Sequence, residues 1–241
     1  MFRIILLLLA LALLSGCWDR REINDVACVV GTALDWEDGH YRTTIQLPLP
    51  GQLGGVGSEG GGGGTSGARP WYIESSAANT VRLANRENQS RLSRELYFAH
   101  QRVILFGEEL MKTGISTTLD LYARLPQNRL NNVNILAAKG KAHDILLVNT
   151  PVEKTSAEMV REMVIHTMKD PPDLLSVTDT LLTEGIDLAL PAYHVKEMEV
   201  PSEQKQTIEL FGIALFQEDK LVGYLIGDSA ADLLWLMNQI S

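Results

Sequence analysis

The chain has 241 residues, with 21 Lys plus Arg against 30 Asp plus Glu and a formal charge of −9. A 45% hydrophobic, 21% charged composition at this length supports one domain or two small ones with a real core, and excludes wholesale disorder. The acidic balance without a basic run excludes nucleic-acid binding; Arg20–Arg21 and the series Arg82, Arg86, Arg91 and Arg94 read as solvated faces.

Arg3 is followed by an unbroken apolar run from Ile4 to Leu14. Eleven residues are too few to cross a bilayer, which takes about 20. They suit the apolar segment of a signal peptide over residues 1–16. The run closes on Leu14-Ser15-Gly16-Cys17, which resembles the lipobox of bacterial lipoproteins. That resemblance implies a diacylglyceryl thioether on Cys17 and a mature chain beginning there. The thiol is the group this chemistry needs, since its thiolate is the strong nucleophile at that place. Two chains of buried CH₂ groups, each contributing about 0.8 kcal/mol, hold a protein firmly on a membrane.

Beyond the leader, Ala27–Trp36 and Tyr41–Leu47 are β-prone runs separated by a turn containing Asp38-Gly39, a strong hairpin signature. Cys28, inside the first run, reads as a small buried hydrophobe. Residues 51–69 hold ten of the chain's twenty glycines and predict a flexible loop dispensable for folding. Residues 75–96 place Ala77, Val81, Ala84, Asn88, Leu92 and Leu96 at helical spacing, predicting one amphipathic helix capped by Ser75 or Ser76.

A buried strand comes next at Arg102–Gly107, then helices at Glu108–Lys112 and Ser116–Leu125, a strand at Asn132–Gly140 and a short helix at Lys141–Val148. Thr155-Ser156-Ala157-Glu158 is a capping box opening a helix to about Met168, stopped by Asp170-Pro171-Pro172. A helix at Ser176–Glu184 ends at Gly185, and Tyr193–Val200 alternates as a strand. Thr207–Phe216 and Leu221–Ile226 form a second hairpin, and a last helix is capped by Ser229. Trp235 and its neighbours put apolar groups on more than one side of that helix, so it either packs on the second hairpin or is left frayed or partner-bound. Hairpins mixed with helices, without regular βαβ alternation, predict an α+β fold with mixed sheets.

The chemistry-bearing residues do not assemble. His40, His100, His143, His166 and His194 share no helical turn and none pairs with Cys28 at metal-ligand spacing. A formal G-x-G-x-x-G at Gly55–Gly60 lies in the glycine run, without the strand and helix a dinucleotide site needs. Glu108-Glu109 at a helix start is explained by the helix dipole, and adjacent His143-Asp144 is not the geometry of a dyad. The reading is a non-enzymatic protein with no cofactor and no metal.

The stretch Cys17-Trp18-Asp19-Arg20-Arg21-Glu22-Ile23-Asn24-Asp25 closely resembles the start of the Ger(x)C spore germination lipoproteins. Leu96–His100, Val103–Leu110, Asn134–Ala142, Leu210–Phe216 and Lys220–Leu225 with Leu234–Leu236 look similar too. The resemblance implies a lipid-anchored C subunit of a nutrient germinant receptor. Its partners would be integral-membrane A and B subunits, on the outer face of the cytoplasmic (inner spore) membrane. It also implies a domain from 17 to 200, with residues 201–241 starting a second domain that is cut short. The competing reading is an envelope lipoprotein that binds a solute and delivers it to a transporter; that would want a deep cleft between two α/β lobes. A lipid-anchored envelope enzyme would want a convergent catalytic set.

Overall fold

The computed structural model describes Arg3 and residues 25–49, 69–150, 152–200 and 203–240. The rest of the leader, Cys17, Arg20–Arg21, the Gly55–Gly60 motif and all but the last residue of the 51–69 stretch lie outside the described residues.

Ten strands and seven helices succeed one another in chain order among the described residues. They are β1 (Val26–Cys28), β2 (Gly31–Glu37), β3 (His40–Pro48), β4 (Trp71–Ala78), α1 (Val81–Ser90), β5 (Glu95–Tyr97), β6 (Val103–Phe106), α2 (Glu108–Thr113), α3 (Ser116–Ala123), β7 (Asn134–Ala138), α4 (Ala142–Leu147), α5 (Ser156–Thr167), α6 (Leu174–Leu182), β8 (Ala189–Val200), β9 (Glu203–Gln217), β10 (Lys220–Leu225) and α7 (Asp228–Leu236). Eight strands form one mixed sheet in the order β10-β9-β8-β7-β6-β2-β3-β4. The four central strands β8, β7, β6 and β2 run parallel, and an antiparallel pair extends each side. This is the α+β, mixed-sheet architecture expected from the order of elements.

The central strands are apolar because both their faces are covered. All four residues of β6 are buried, as are the last four of β7. Ile104, Phe106, Ile135 and Ala137 point to one side, where Val81, Leu110, Met111, Leu119, Tyr122, Leu174 and Val177 bring in α1, α2, α3 and α6. Val103, Leu105, Leu136 and Ala138 point to the other, against Ala142, Ile145, Ala157, Val160, Val164, Ala230 and Leu234 of α4, α5 and α7. A third cluster of Val29, Ile45, Leu47 and Leu96 seats a two-stranded parallel ribbon of β1 and β5 beside the main sheet.

The first hairpin has the expected turn. Glu37 pairs with His40, and Asp38 and Gly39 both take positive φ, at 49° and 81°, as a two-residue turn of matching twist requires. The predicted helix at 75–96 is corrected. Its first residues are β4, pairing Ser76 with Thr43 and Ala78 with Tyr41, and its last are β5. The helical spacing holds only from Val81 to Asn88, and Thr80, not Ser75 or Ser76, caps α1 by accepting a bond from Leu83 N–H. The open side of β3 takes up a Ser/Ala segment that propensity alone assigns to helix.

Ala27–Trp36 is also two strands. The chain crosses at Val29 and Val30 from the ribbon to the main sheet, with Val29 N–H donating to Tyr97 O and Val30 N–H to Gln46 O. α6 begins earlier than expected, at Leu174, because Asp173 and Ser176 cap each other's backbone. Gly227, not Ser229, precedes α7. The expected division at residue 200 falls between β8 and β9, two strands paired along their length, and β9 and β10 belong to the same eight-stranded sheet.

Two sheet side chains fasten the α4–α5 layer. Asp35 on β2, 3% exposed, accepts bonds from Ala142 N–H at 2.8 Å and His143 N–H at 2.9 Å at the start of α4. Burial pushes its carboxyl up, and these two N–H groups pull against that shift. Gln46 on β3 donates to Leu146 O and Ser156 Oγ and accepts from Ala157 N–H, joining the end of α4 to the start of α5. Asp35 has room because residue 107 is glycine; a Cβ there would stand 1.9 Å from Asp35 Oδ1.

Gly107→Ala is therefore expected to displace the Asp35 carboxylate and cost roughly 2–3 kcal/mol of unfolding free energy in urea titrations. In an Asp35→Ala background the same change should cost far less, because the clashing group is gone. Equal cost in both backgrounds would show that Gly107 is constrained by something else.

Candidate functional site

Three places in the described structure gather chemistry-bearing or surface-active residues: the rim at the carboxyl ends of the parallel strands, the end of α7, and the ribbon through which the N-terminal segment joins the fold.

At the rim, β2 ends in Glu37, β6 leads through Gly107 to Glu108, and β7 leads into Lys139-Gly140-Lys141. Glu37 Oε1 lies 2.9 Å from Lys141 Nζ, and Glu37 Oε2 lies 2.6 Å from Arg42 Nε. Glu108 Oε1 lies 3.0 Å from Lys139 Nζ and 3.2 Å from Lys112 Nζ, and its Oε2 accepts from Gly140 N–H at 3.1 Å. Lys139 Nζ also sits 4.8 Å from the Tyr224 ring centroid and 5.7 Å from that of Phe211, which packs edge-on to His194. Acids and bases here satisfy one another, and the result ties β2, β6, β7 and β10 together.

The rim does not assemble a reactive centre. His143 Nδ1 meets Thr44 Oγ1 at 3.0 Å, and that hydroxyl meets Ser75 Oγ at 2.8 Å. Both oxygens of nearby Asp35 accept backbone N–H groups, and among the described residues no carboxylate bonds to the His143 ring as the orienting partner of a base would. His40 bonds to Asp38 O, and His194 faces Glu209 at 3.5 Å. Among the described residues no group of three or more His, Cys, Asp or Glu could hold a metal ion. Cys28 is half-buried, and burial pushes its thiol up, away from the reactive thiolate. Glu108 and Glu109 stand at the start of α2, as the sequence places them, with Lys112 and Lys139 as partners. Asp35, Lys139 and Lys141 carry no sequence motif; each reaches its partner only because parallel strands end side by side.

At the C-terminal end, α7 packs through Ala230 and Leu234. Gln239 secures the segment after the helix, accepting from Lys169 N–H through its backbone and from Asp170 N–H through Oε1, each at 2.9 Å. The helix is seated on this body, yet Trp235 is 70% exposed and Leu236 73%, with Met237 and Ile240 also exposed beside them. Such an apolar group on the outside makes this end of α7 a candidate interaction surface. No helix among the described residues is long and apolar enough to cross a membrane.

The ribbon pairs Val26 with Glu95, Ala27 with Leu96 and Cys28 with Tyr97. Gln89 of α1 fastens it, donating from Nε2 to Arg94 O and accepting Leu96 N–H on Oε1. The chain therefore leaves the described body, toward Cys17, alongside the end of α1.

Comparison with known proteins gives a consistent set of relatives. The family described as the spore germination protein N-terminal domain matches residues 19–195. YfkR of Bacillus subtilis (strain 168), a protein named for spore germination, is 37% identical over 99% of this chain and 61% of its own length. Spore germination protein KC of the same organism is 28% identical over 98% of this chain and 61% of its own. A crystal structure of the GerBC protein superposes with a TM-score of 0.44 at 19% identity, covering 88% of this chain and 56% of that one. The chain thus spans about three fifths of the length of these curated relatives.

The Glu108 rim is testable by pH. Burial works against its charge, but Lys139, Lys112 and Gly140 N–H outweigh burial and hold the carboxyl below the usual range. A carboxyl lowered in the folded state stabilises above its ordinary value of about 4.3 and loses that contribution as pH falls through the lowered value. Glu108→Gln is expected to cost about 1 kcal/mol at neutral pH, with the difference from the parent closing in acid. A difference independent of pH would assign the loss to packing instead.

Proposed function

The chain belongs to the spore germination protein family defined by that N-terminal domain, and from this we propose that it is a lipid-anchored, non-catalytic subunit of a spore nutrient germinant receptor. The observation that carries the reading is a juxtaposition in sequence. An apolar leader closing on Leu14-Ser15-Gly16-Cys17 runs directly into a family match that begins at residue 19. A diacylglyceryl group on Cys17 would hold the body on the outer face of the cytoplasmic membrane. The integral-membrane A and B subunits would then be its docking partners.

Two features of the body support docking over the delivery of a captured solute. Trp235, Leu236, Met237 and Ile240 offer apolar area on a helix that is otherwise fixed, which is what a protein partner covers. The grooves beside α6 and α3, of about 580 and 640 Å³, are open to solvent, and neither is a deep cleft between two α/β lobes.

Replacing Cys17 with Ala is expected to leave the leader unprocessed and release the protein from membranes, read by fractionation and intact mass. Membrane retention with the mass of a processed, acylated chain would sink the anchor. Trp235→Ser should leave folding stability within about 0.5 kcal/mol of the parent, since the side chain is mostly outside. The same variant should lower recovery of the anchored protein with its membrane partners. Undiminished recovery would remove the end of α7 from the interface.

A further inference from the structure

We propose that the outer face of α1, formed by Arg82, Leu83 and Arg86 and continued by Arg94, lies against an anionic lipid bilayer and sets how the anchored body stands on it. The orientation rests on the anchored reading above; the affinity of the face for anionic lipid does not.

The first observation is a local reversal of charge. The chain carries 30 acidic against 21 basic residues, yet positions 81–94 hold four arginines and one acid, Glu87. Arg91 is used within the fold, paired with Glu74 at 3.0 Å. Arg82, Arg86 and Arg94 are exposed and have no ion-pair partner among the described residues. Arg82 and Arg86, four apart on a helix, share one face. Fixed positive charge held outward on an acidic protein selects an anionic surface, and each such residue near a charged leaflet adds a comparable increment of attraction.

The second observation is apolar area in the same place. Leu83 is 44% exposed between the two arginines. Beside the start of α1 opens a groove whose lining includes Tyr41, Val81, Leu121 and Leu125, with Arg82 on it and with Arg124 and Asp120 neutralising each other at 2.7 Å. Arginine over exposed leucine and an apolar groove matches the layering of a bilayer interface, with headgroup phosphate outside and acyl carbon beneath.

The third observation is position. Gln89 clamps α1 to β5, and β5 pairs with β1, so Val26 lies beside the residue following Arg94. From Cys17 to Val26 the chain reaches at most about 30 Å even when fully extended. A lipid on Cys17 therefore keeps this edge of the body near the membrane. β10, with exposed Lys220, lies at the opposite edge of the sheet from β4, against which α1 packs. Counterion-screened attraction of this kind acts within roughly 10 Å, a distance that lies inside the range the tether allows.

The test uses the mature chain from Trp18 to Ser241, which carries neither the acyl group nor the apolar leader. Its binding is measured by co-sedimentation with vesicles of phosphatidylcholine alone and of phosphatidylcholine with an equal part of phosphatidylglycerol. Binding to the anionic vesicles only, abolished by high salt, is expected. Arg82→Gln with Arg86→Gln should weaken it by roughly tenfold or more, while Lys220→Gln leaves it unchanged. Equal binding to both vesicles, no binding to either, or equal loss in the Lys220→Gln control would overturn the proposal. Failure of the Cys17 anchor would appear separately, as Cys17→Ala protein retained on membranes with the mass of a processed, acylated chain, and would leave this vesicle measurement standing.

Discussion

A buried carboxylate at Asp35 organises the centre of the molecule. It sits on β2, the strand at which the parallel centre of the sheet meets one of its two antiparallel flanks, and reaches across to the first backbone N–H groups of α4. A helix start leaves such donors unsatisfied, and a carboxylate is the acceptor that suits them. Placing one there costs desolvation, visible in the upward pull of burial on Asp35, and the two bonds offset that cost. Gly107 is the second half of the same arrangement, since its missing Cβ is what lets β6 pass so close. Once α4 is fixed, Gln46 fixes α5, and the sheet's second face is closed.

How legible each element is in the sequence depends on how local its signal is. The Asp38-Gly39 turn, the Thr155 cap with its bond from Glu158 N–H and the apolar runs of β6 and β7 depend on neighbours within a few residues, and each stands where expected. The Ser75–Ala78 strand does not, because nothing in that segment says that β3 lacks a partner. The parallel pairing of β2, β6, β7 and β8 is equally silent in one-dimensional spacing. So is the rim it creates, where Glu37 meets Lys141 across a gap of more than one hundred positions.

The candidate surfaces divide in the same way. Trp235 could be singled out by pattern, since apolar residues on several sides of one short helix cannot all be buried by one sheet. The arginines of α1 were visible as residues but not as a face, because spacing alone does not say which of them the fold uses. The structure separates them: Arg91 is paired with Glu74, and Arg82, Arg86 and Arg94 have no ion-pair partner among the described residues.

The ribbon of β1 and β5 is small, three residue pairs over a four-residue apolar cluster, but its direction matters mechanically. The strands run parallel, so a pull on the chain ahead of Val26 along the strand axis loads all three pairs together, in shear. A pull across the axis would instead open them one at a time, like a zipper. Gln89 then passes the load from β5 into α1, and α1 passes it into the edge of the large sheet through β4. A body held by a leash ahead of Val26 would thus meet a pull along the strand axis as a distributed shear stress, with its strongest element, the eight-stranded sheet, taking the strain.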